Sequence, residues 1–432
     1  MIKKGLSLLI IILLLTLVTG CGSNNGSKDR ETTIRFMHSS VEQERLAVIN
    51  KLVEKFEKEN PTIKVKQIPV QEDSFNTKVV TLASAGELPE VIEVGQDYAK
   101  VMDQDQLIDK NAVERAINKS GKNNYYEGAL NLVKTEDGKN YTGLPISGWV
   151  QGIWYNKEML ASKGFDEPKN WNEVMEIAKA FTDGKHKKYG IALPTAESNI
   201  SEQSFSQFAL SNGANILNAK GDLNLNSTKM KESLAYYKKL AHYTMPGSND
   251  TTEIKDAFMN GTVPMAIYST YILPAVYQEG NADNIGFAIP TQEKTSVFGT
   301  VSALTVSSGL ENKEKKAAEK FLEFMSKPEN TTNWVLMSPG GAQPVNKKVT
   351  ENKDYQSNKV VKSFGNLSNE IAASFNNIQA FGLVDGKNFS KTANITSSGA
   401  LPRLVNETTV GNKKVKDELQ KAETTIQGAL EN

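Results

Sequence analysis

The sequence predicts an α/β protein built as two lobes, and three observations carry that reading. Short apolar runs suited to buried strands alternate with segments whose apolar residues recur at helical spacing. Turn residues stand where one kind of segment gives way to the next. The chain beyond residue 31 is about 400 residues long, more than one hydrophobic core usually serves.

Taken in order, residues 34–37 (IRFM) suit a buried strand. His38-Ser39-Ser40 leads from it into a helix with Leu46, Ile49, Leu52, Val53 and Phe56 on one face, and Ser40 with Gln43 offers a capping box. Asn60-Pro61 stops that helix, because the residue before a proline is pushed out of helical geometry, and residues 63–66 begin a second strand. Phe75, Val79 and Leu82 mark a second helix, with Gly86 placed to end it. Residues 91–94 form a third strand that runs into Gly95-Gln96-Asp97-Tyr98. Strands separated by helices at this spacing pair in parallel and leave loops at the strand ends for a ligand.

A second block begins near Gly143. Ile153, Trp154 and Tyr155 read as a strand, and Trp171–Phe181 as a helix with Val174, Ile177, Ala178 and Phe181 on one face. Helices are also expected over 230–241 and 314–326, and from about 350 the chain becomes more helical and polar. Trp154, Trp171 and Trp334 fall within apolar periodic segments and are assigned to the core.

The N-terminus has its own pattern. Lys3 and Lys4 precede an apolar stretch over 6–18, interrupted only by Ser7 and Thr16. That describes a secretory signal peptide, and it falls short of the roughly 20 apolar residues a membrane span needs. Val18-Thr19-Gly20-Cys21 resembles a bacterial lipobox, in which the cysteine is acylated and becomes the new N-terminus. Residues 1–20 are therefore expected to be a lipoprotein signal, Cys21 the lipidated residue, and 21–31 a flexible polar tether. An ordinary cleaved signal is the alternative. Cys21 is the only cysteine, so it has no internal disulfide partner, and lipidation accounts for an otherwise exposed thiol. The expected location is the outer face of the cell membrane, the periplasmic face if the host is Gram-negative.

Charge and motif content narrow the function. Lys plus Arg and Asp plus Glu number 50 each, so the net charge is zero, and removing Lys3 and Lys4 leaves −2. Nothing in that balance favours nucleic acid. Nucleophile-elbow, HExxH and P-loop patterns are absent. His38, His186 and His242 lie far apart, so no metal spacing arises, and no cofactor is expected. Asp103, Asp105, Asp109 and Glu114 imitate a calcium loop, but Leu107 and Ile108 stand where a ligand and the turn glycine belong. A lipid-anchored glycosidase remains the competing class; it needs two carboxylates about 5–10 Å apart, and no segment resembles a glycosidase motif.

Several separated motifs point to one family: LVEKFEKENP (52–61), ASAGELPEVIEV (83–94), LPISGWVQGIWYNKEML (144–160) with PKNWNEV (168–174), and FMNGTVPMAIY (258–268), followed by 286–290, 317–325 and 340–344. Each is weak alone. In this order and spacing the chain resembles family 1 of the bacterial extracellular solute-binding proteins, the sugar-binding lipoproteins related to maltodextrin-binding protein. The resemblance implies a periplasmic-binding-protein-like fold of type II, with three crossovers between lobes and a ligand cleft between them. Lobe 1 would hold 31–145 and 291–327, lobe 2 would hold 146–290 and 328–432, and the hinges would lie near 145–147 and 286–290. It further implies a monomeric, non-enzymatic binding component of an ABC importer, closing around a saccharide and delivering it to permease subunits served by a cytoplasmic ATPase.

A pyranose offers an apolar face and a rim of hydroxyls, so its site needs aromatic platforms and hydrogen-bonding groups. Carried over position by position, the resemblance implies His38, Ser39, Ser40 and Glu42 after the first strand, Gln96, Asp97 and Tyr98 after the third, and Ser147 and Trp149 at the crossover. Later contacts would be Glu202, Tyr268, Tyr271 and Phe381, with Gly299 and Gly341 admitting close backbone approach. Bland alternatives stand beside them. Glu42 could serve only the helix dipole, Asp97 only as an N-cap, Tyr271 only packing, and Glu197 rivals Glu202. Trp149 stands where the family often has an acid. Fewer carboxylates and more aromatics point to a short neutral saccharide. Arginine is scarce after residue 21 (Arg30, Arg35, Arg45, Arg115, Arg403), which disfavours phosphorylated ligands and uronates.

Overall fold

The computed structural model describes residues 31–384 and 386–431. Cys21 and the signal and tether positions before residue 31 lie outside the described residues. The first expected elements are present: strand β1 (Thr32–His38), helix Gln43–Glu59, β2 (Ile63–Pro69), helix Glu72–Ala85, β3 (Val91–Gly95) and helix Gln96–Gln104. β1 pairs in parallel with both β2 and β3, as strand–helix–strand units require. Gly86 closes its helix at φ 69°, a left-handed conformation open to glycine without strain.

The rest of the sheet is antiparallel. β4 (Leu144–Asn156) pairs with β5 (Met265–Ser269), β6 (Ile285–Ala288) and β7 (Phe298–Val306), and β7 also pairs with β3. The strand order is β2-β1-β3-β7-β4-β5, with β6 on β4. The parallel part is thus confined to β1–β3. β4 also includes Ser147, Gly148 and Trp149, and so begins well before Ile153, the first residue of this strand as read from the sequence.

The proposed capping box is not formed. Helix Gln43–Glu59 begins after Glu42 with no side-chain cap, and Ser40 is buried. Asp97 is not an N-cap either: Gly95 holds that position and Asp97 lies in the first turn. Helix Trp171–Phe181 has the expected bounds, capped by the Asn170 side chain.

Two large apolar clusters and a small third one, of Val335, Val349, Tyr355 and Val361, hold the described residues together. The first gathers Phe36, Phe56, Phe321 and Phe324, with Phe36 and Phe56 both 5.1 Å from the Phe321 ring. The second gathers Phe205, Phe208, Tyr237 and Leu404 with Trp171, whose indole stacks on Tyr236 at 4.3 Å. Trp154 is fully buried, Trp171 and Trp334 nearly so. Truncating such aromatics typically costs about 3–5 kcal/mol. Residues 328–378 send Trp334, Val345, Phe364 and Phe375 into the first cluster, which also takes Trp154, Phe258, Leu273 and Phe287 from 146–290. Among the described residues no helix is long and apolar enough to cross a membrane.

Candidate ligand-binding cleft

Side chains two apart on a strand share a face. On β4 this puts Ser147, Trp149 and Gln151 together, and their β7 partners Ser302, Thr300 and Phe298 beside them. Ser147, Trp149, Ser302, Thr300 and Phe298 form the floor of a cavity of about 800 Å³. Trp149 and Phe298 meet there at 5.8 Å between ring centroids.

One wall comes from the ends of β1 and β3 and the helix after β3. The Ser39 N–H donates to Glu93 Oε2 at 3.2 Å, and Ser302 Oγ donates to Glu93 Oε1 at 2.8 Å. Burial pushes the Glu93 carboxyl up, and these hydrogen bonds and the Arg45 charge oppose the rise. Asp97 opens onto the cleft while protein crowds it from behind, and this desolvation raises its carboxyl; Lys100 and the Gln96 carboxamide, 3.2 Å away, oppose the rise. Lys100 itself is buried and pushed down by desolvation, with Asp97 opposing; its ammonium lies 5.7 Å over the Phe389 ring and makes no hydrogen bond among the described residues.

The facing wall is helix Asn199–Ser211 with Phe381 and Phe389. Glu202 is half-buried there and makes no hydrogen bond among the described residues, and burial lifts its carboxyl to about 7. Phe381 stands edge-on to Phe205 at 6.1 Å. Tyr271, 45 % exposed, stands at the rim.

Of the sequence-predicted residues, the cavity wall therefore brings together Ser39, Ser40, Asp97, Tyr98, Ser147, Trp149, Glu202, Tyr271 and Phe381. Six others sit elsewhere. His38 is fully buried, its Nε2 3.2 Å from Gln67 Oε1 and its ring 5.1 Å from that of Phe36. Glu42 is exposed at the helix N-terminus, 3.8 Å from Arg45, where the positive end of the helix favours it. Gln96 turns inward, donating to Asp97 and accepting from the Val301 N–H. A Cβ on Gly299 would lie 2.3 Å from the Trp149 carbonyl oxygen, and one on Gly341 2.6 Å from Tyr271 Cδ1, so both glycines make room for protein neighbours. Tyr268 lines an adjoining compartment. Glu197 pairs with Arg403 at 3.0 Å and is not on the wall.

Sequence reasoning missed Arg45, Glu72, Glu93, Thr300, Ser302 and Phe389. Glu93 had a signal, a lone acid in the apolar run VIEVG, and β7 had one in the alternating FGTVSALTV. The expectation of few carboxylates is corrected: Glu72, Glu93, Asp97 and Glu202 all line the cavity, because β3 and three helices supply the acids that the crossover lacks. Among the described residues no group of His, Cys, Asp and Glu side chains is gathered to hold a metal ion.

The comparisons agree with this geometry. Residues 39–332 match the model of the bacterial extracellular solute-binding protein family. YcjN of Escherichia coli, named as an ABC transporter periplasmic-binding protein, is 50 % identical over 431 residues, covering all of both chains. The multiple sugar-binding protein of Streptococcus mutans is 25 % identical over 337 residues, 75 % of this chain and 78 % of its own. The cyclic α-maltosyl-1,6-maltose-binding protein of Arthrobacter globiformis superposes with a TM-score of 0.77 at 17 % identity, covering 93 % of this chain and 99 % of its own. A solute-binding protein of Thermotoga lettingae bound with α-D-tagatose gives 0.70 at 19 %, covering 93 % and 100 %. The fold is that of type II periplasmic binding proteins. The chain belongs to the bacterial extracellular solute-binding proteins, which serve ABC transporters.

Proposed function

We propose that this protein captures a short neutral saccharide outside the cell and hands it, unchanged, to the permease subunits of an ABC importer driven by a cytoplasmic ATPase. One observation carries the reading: the cavity sets aromatic faces beside carboxyl groups, two of which already face a cation of the protein. Trp149 and Phe298 offer apolar faces side by side, with Tyr271 at the rim. Glu93 has Arg45 for a counter-charge and Asp97 has Lys100, which suits hydroxyl groups better than an ionic ligand. Names of relatives point the same way, being those of a multiple sugar-binding protein and of proteins solved with α-D-tagatose or ribitol.

In this reading the protein is a monomer, tethered by a lipid on Cys21 to the outer face of the cell membrane, with its two lobes closing on the ligand. The lobes are 31–145 with 291–327 and 146–290 with 328–432. Calorimetric titration with neutral mono- and disaccharides and polyols, followed by product analysis, tests the function. Binding with the saccharide recovered intact supports a carrier. Turnover supports a glycoside-processing enzyme, and no binding to any of them removes the saccharide reading.

A further inference from the structure

The cavity does not end at Trp149. A second compartment of about 470 Å³ adjoins it and shares Trp149, Asn199, Gln203 and Tyr271 with the first. Its lining includes Gln151, the next residue after Trp149 on the same face of β4. The backbone of Gln151 is paired on one side with Phe298 and on the other with Ser269, so the side chain is held in place by a strand in the middle of the sheet.

Gln151 is only 1 % exposed, yet its Oε1 accepts no hydrogen bond among the described residues. Ser198 Oγ, also in this compartment, is buried and unpaired too. Buried polar atoms are nearly always paired, by protein, by water or by a ligand. Water alone would need only polar groups. Here Tyr268 and Tyr271 are added to the wall, so the compartment repeats the combination of ring faces and hydrogen-bonding groups found in the main cavity. Ser147, Trp149 and Gln151 lie at successive same-face positions, so the row spans about 13 Å at 3.3–3.4 Å per residue, longer than one pyranose ring.

We propose that the ligand has at least two sugar units, the second lying beyond Trp149 with a hydroxyl donated to Gln151 Oε1. This rests on the saccharide reading and goes further by setting a minimum length. Trp149, which lines both compartments, stands at the junction of the two units, and Gln151 sets selectivity for length rather than for charge.

The test uses the mature chain, with glucose, galactose and mannose titrated beside maltose, cellobiose and isomaltose. Wild type is expected to bind one of the disaccharides at least tenfold more tightly than its component monosaccharide. Gln151→Leu is expected to lower that preference about tenfold, and Ser198→Ala to lower it by less, with unfolding midpoints measured to confirm that both variants fold. A monosaccharide bound as tightly as every disaccharide overturns the two-unit ligand while leaving the saccharide reading intact. So does a preference that is unchanged in both variants. If none of the six sugars binds, the saccharide reading fails first and the length inference falls with it.

Discussion

Trp149 and Phe298 lie ring beside ring across the β4–β7 pair, 5.8 Å between centroids and tilted by 48°. They are diagonal neighbours, since Trp149 pairs with Thr300 and Phe298 with Gln151. The strands that join the sheet's two halves thus also hold the aromatic surface of the cleft, and each ring limits the rotamers of the other.

Trp149→Ala is expected to weaken saccharide binding by about 5–150-fold, the loss of roughly 1–3 kcal/mol from one stacking face and one N–H, with a smaller effect on stability. Trp171→Ala is the contrast. Trp171 is buried against Tyr236 and Phe208, so its loss is expected to cost about 3–5 kcal/mol of folding stability and to leave affinity near wild type in the folded fraction. Affinity and unfolding midpoint measured for both variants check the pair. A Trp149→Ala protein that binds normally but melts early would move Trp149 out of the site.

Glu202 makes stability depend on pH in a definite direction. Its carboxyl titrates near 7 in the folded protein and in the ordinary carboxylate range when unfolded, because burial disfavours the charge. Between those values the folded state holds the extra proton, so stability falls as pH rises through this window and the penalty is complete above about pH 7. Glu202→Gln is expected to remove this component, melting higher than wild type at about pH 8 and equal to it at about pH 4. Melting curves across that range check it. An unchanged slope in the variant would assign the dependence to other groups.

Lobe closure predicts a ligand-dependent shape. A saturating saccharide is expected to reduce the radius of gyration in small-angle scattering and to raise the melting temperature, by an amount equivalent to about 2.7 kcal/mol at a hundredfold excess over Kd. A ligand confirmed by calorimetry that leaves the solution dimensions unchanged would argue against closure.

If Cys21 carries the lipid, Cys21→Ala is expected to leave the precursor unprocessed or release the protein from the membrane. Detergent-phase partitioning of the two forms distinguishes them. A variant that partitions as wild type does would refute the anchor.

Local patterns made much of the first half legible. The Asn60-Pro61 stop, the Gly86 terminator and the Val174–Ile177–Ala178 stripe act within a few residues of themselves and give their elements directly. Pairings made at long range were not legible in that way. β7 alternates as a strand should, but nothing local says that it inserts between β3 and β4, and so Thr300 and Ser302 went unplaced. His38 shows the opposite limit. It follows the first strand, where ligand contacts were expected, yet its ring turns to Phe36 and Gln67, a choice that depends on β2 beside it.

The insertion of β7 has a kinetic consequence. Val91 cannot meet Val306, nor Leu144 meet Leu304, until a long stretch of chain has been made and folded between them. Until then β3 and β4 each present an unpaired edge facing the gap, and neither the sheet nor the cavity floor exists. Contacts of such sequence separation are slow to form, because loop closure must be met before any contact rewards it. The cavity floor is therefore among the last parts of the molecule to appear, and a chain stalled before residue 298 exposes strand edges prone to join with those of other chains.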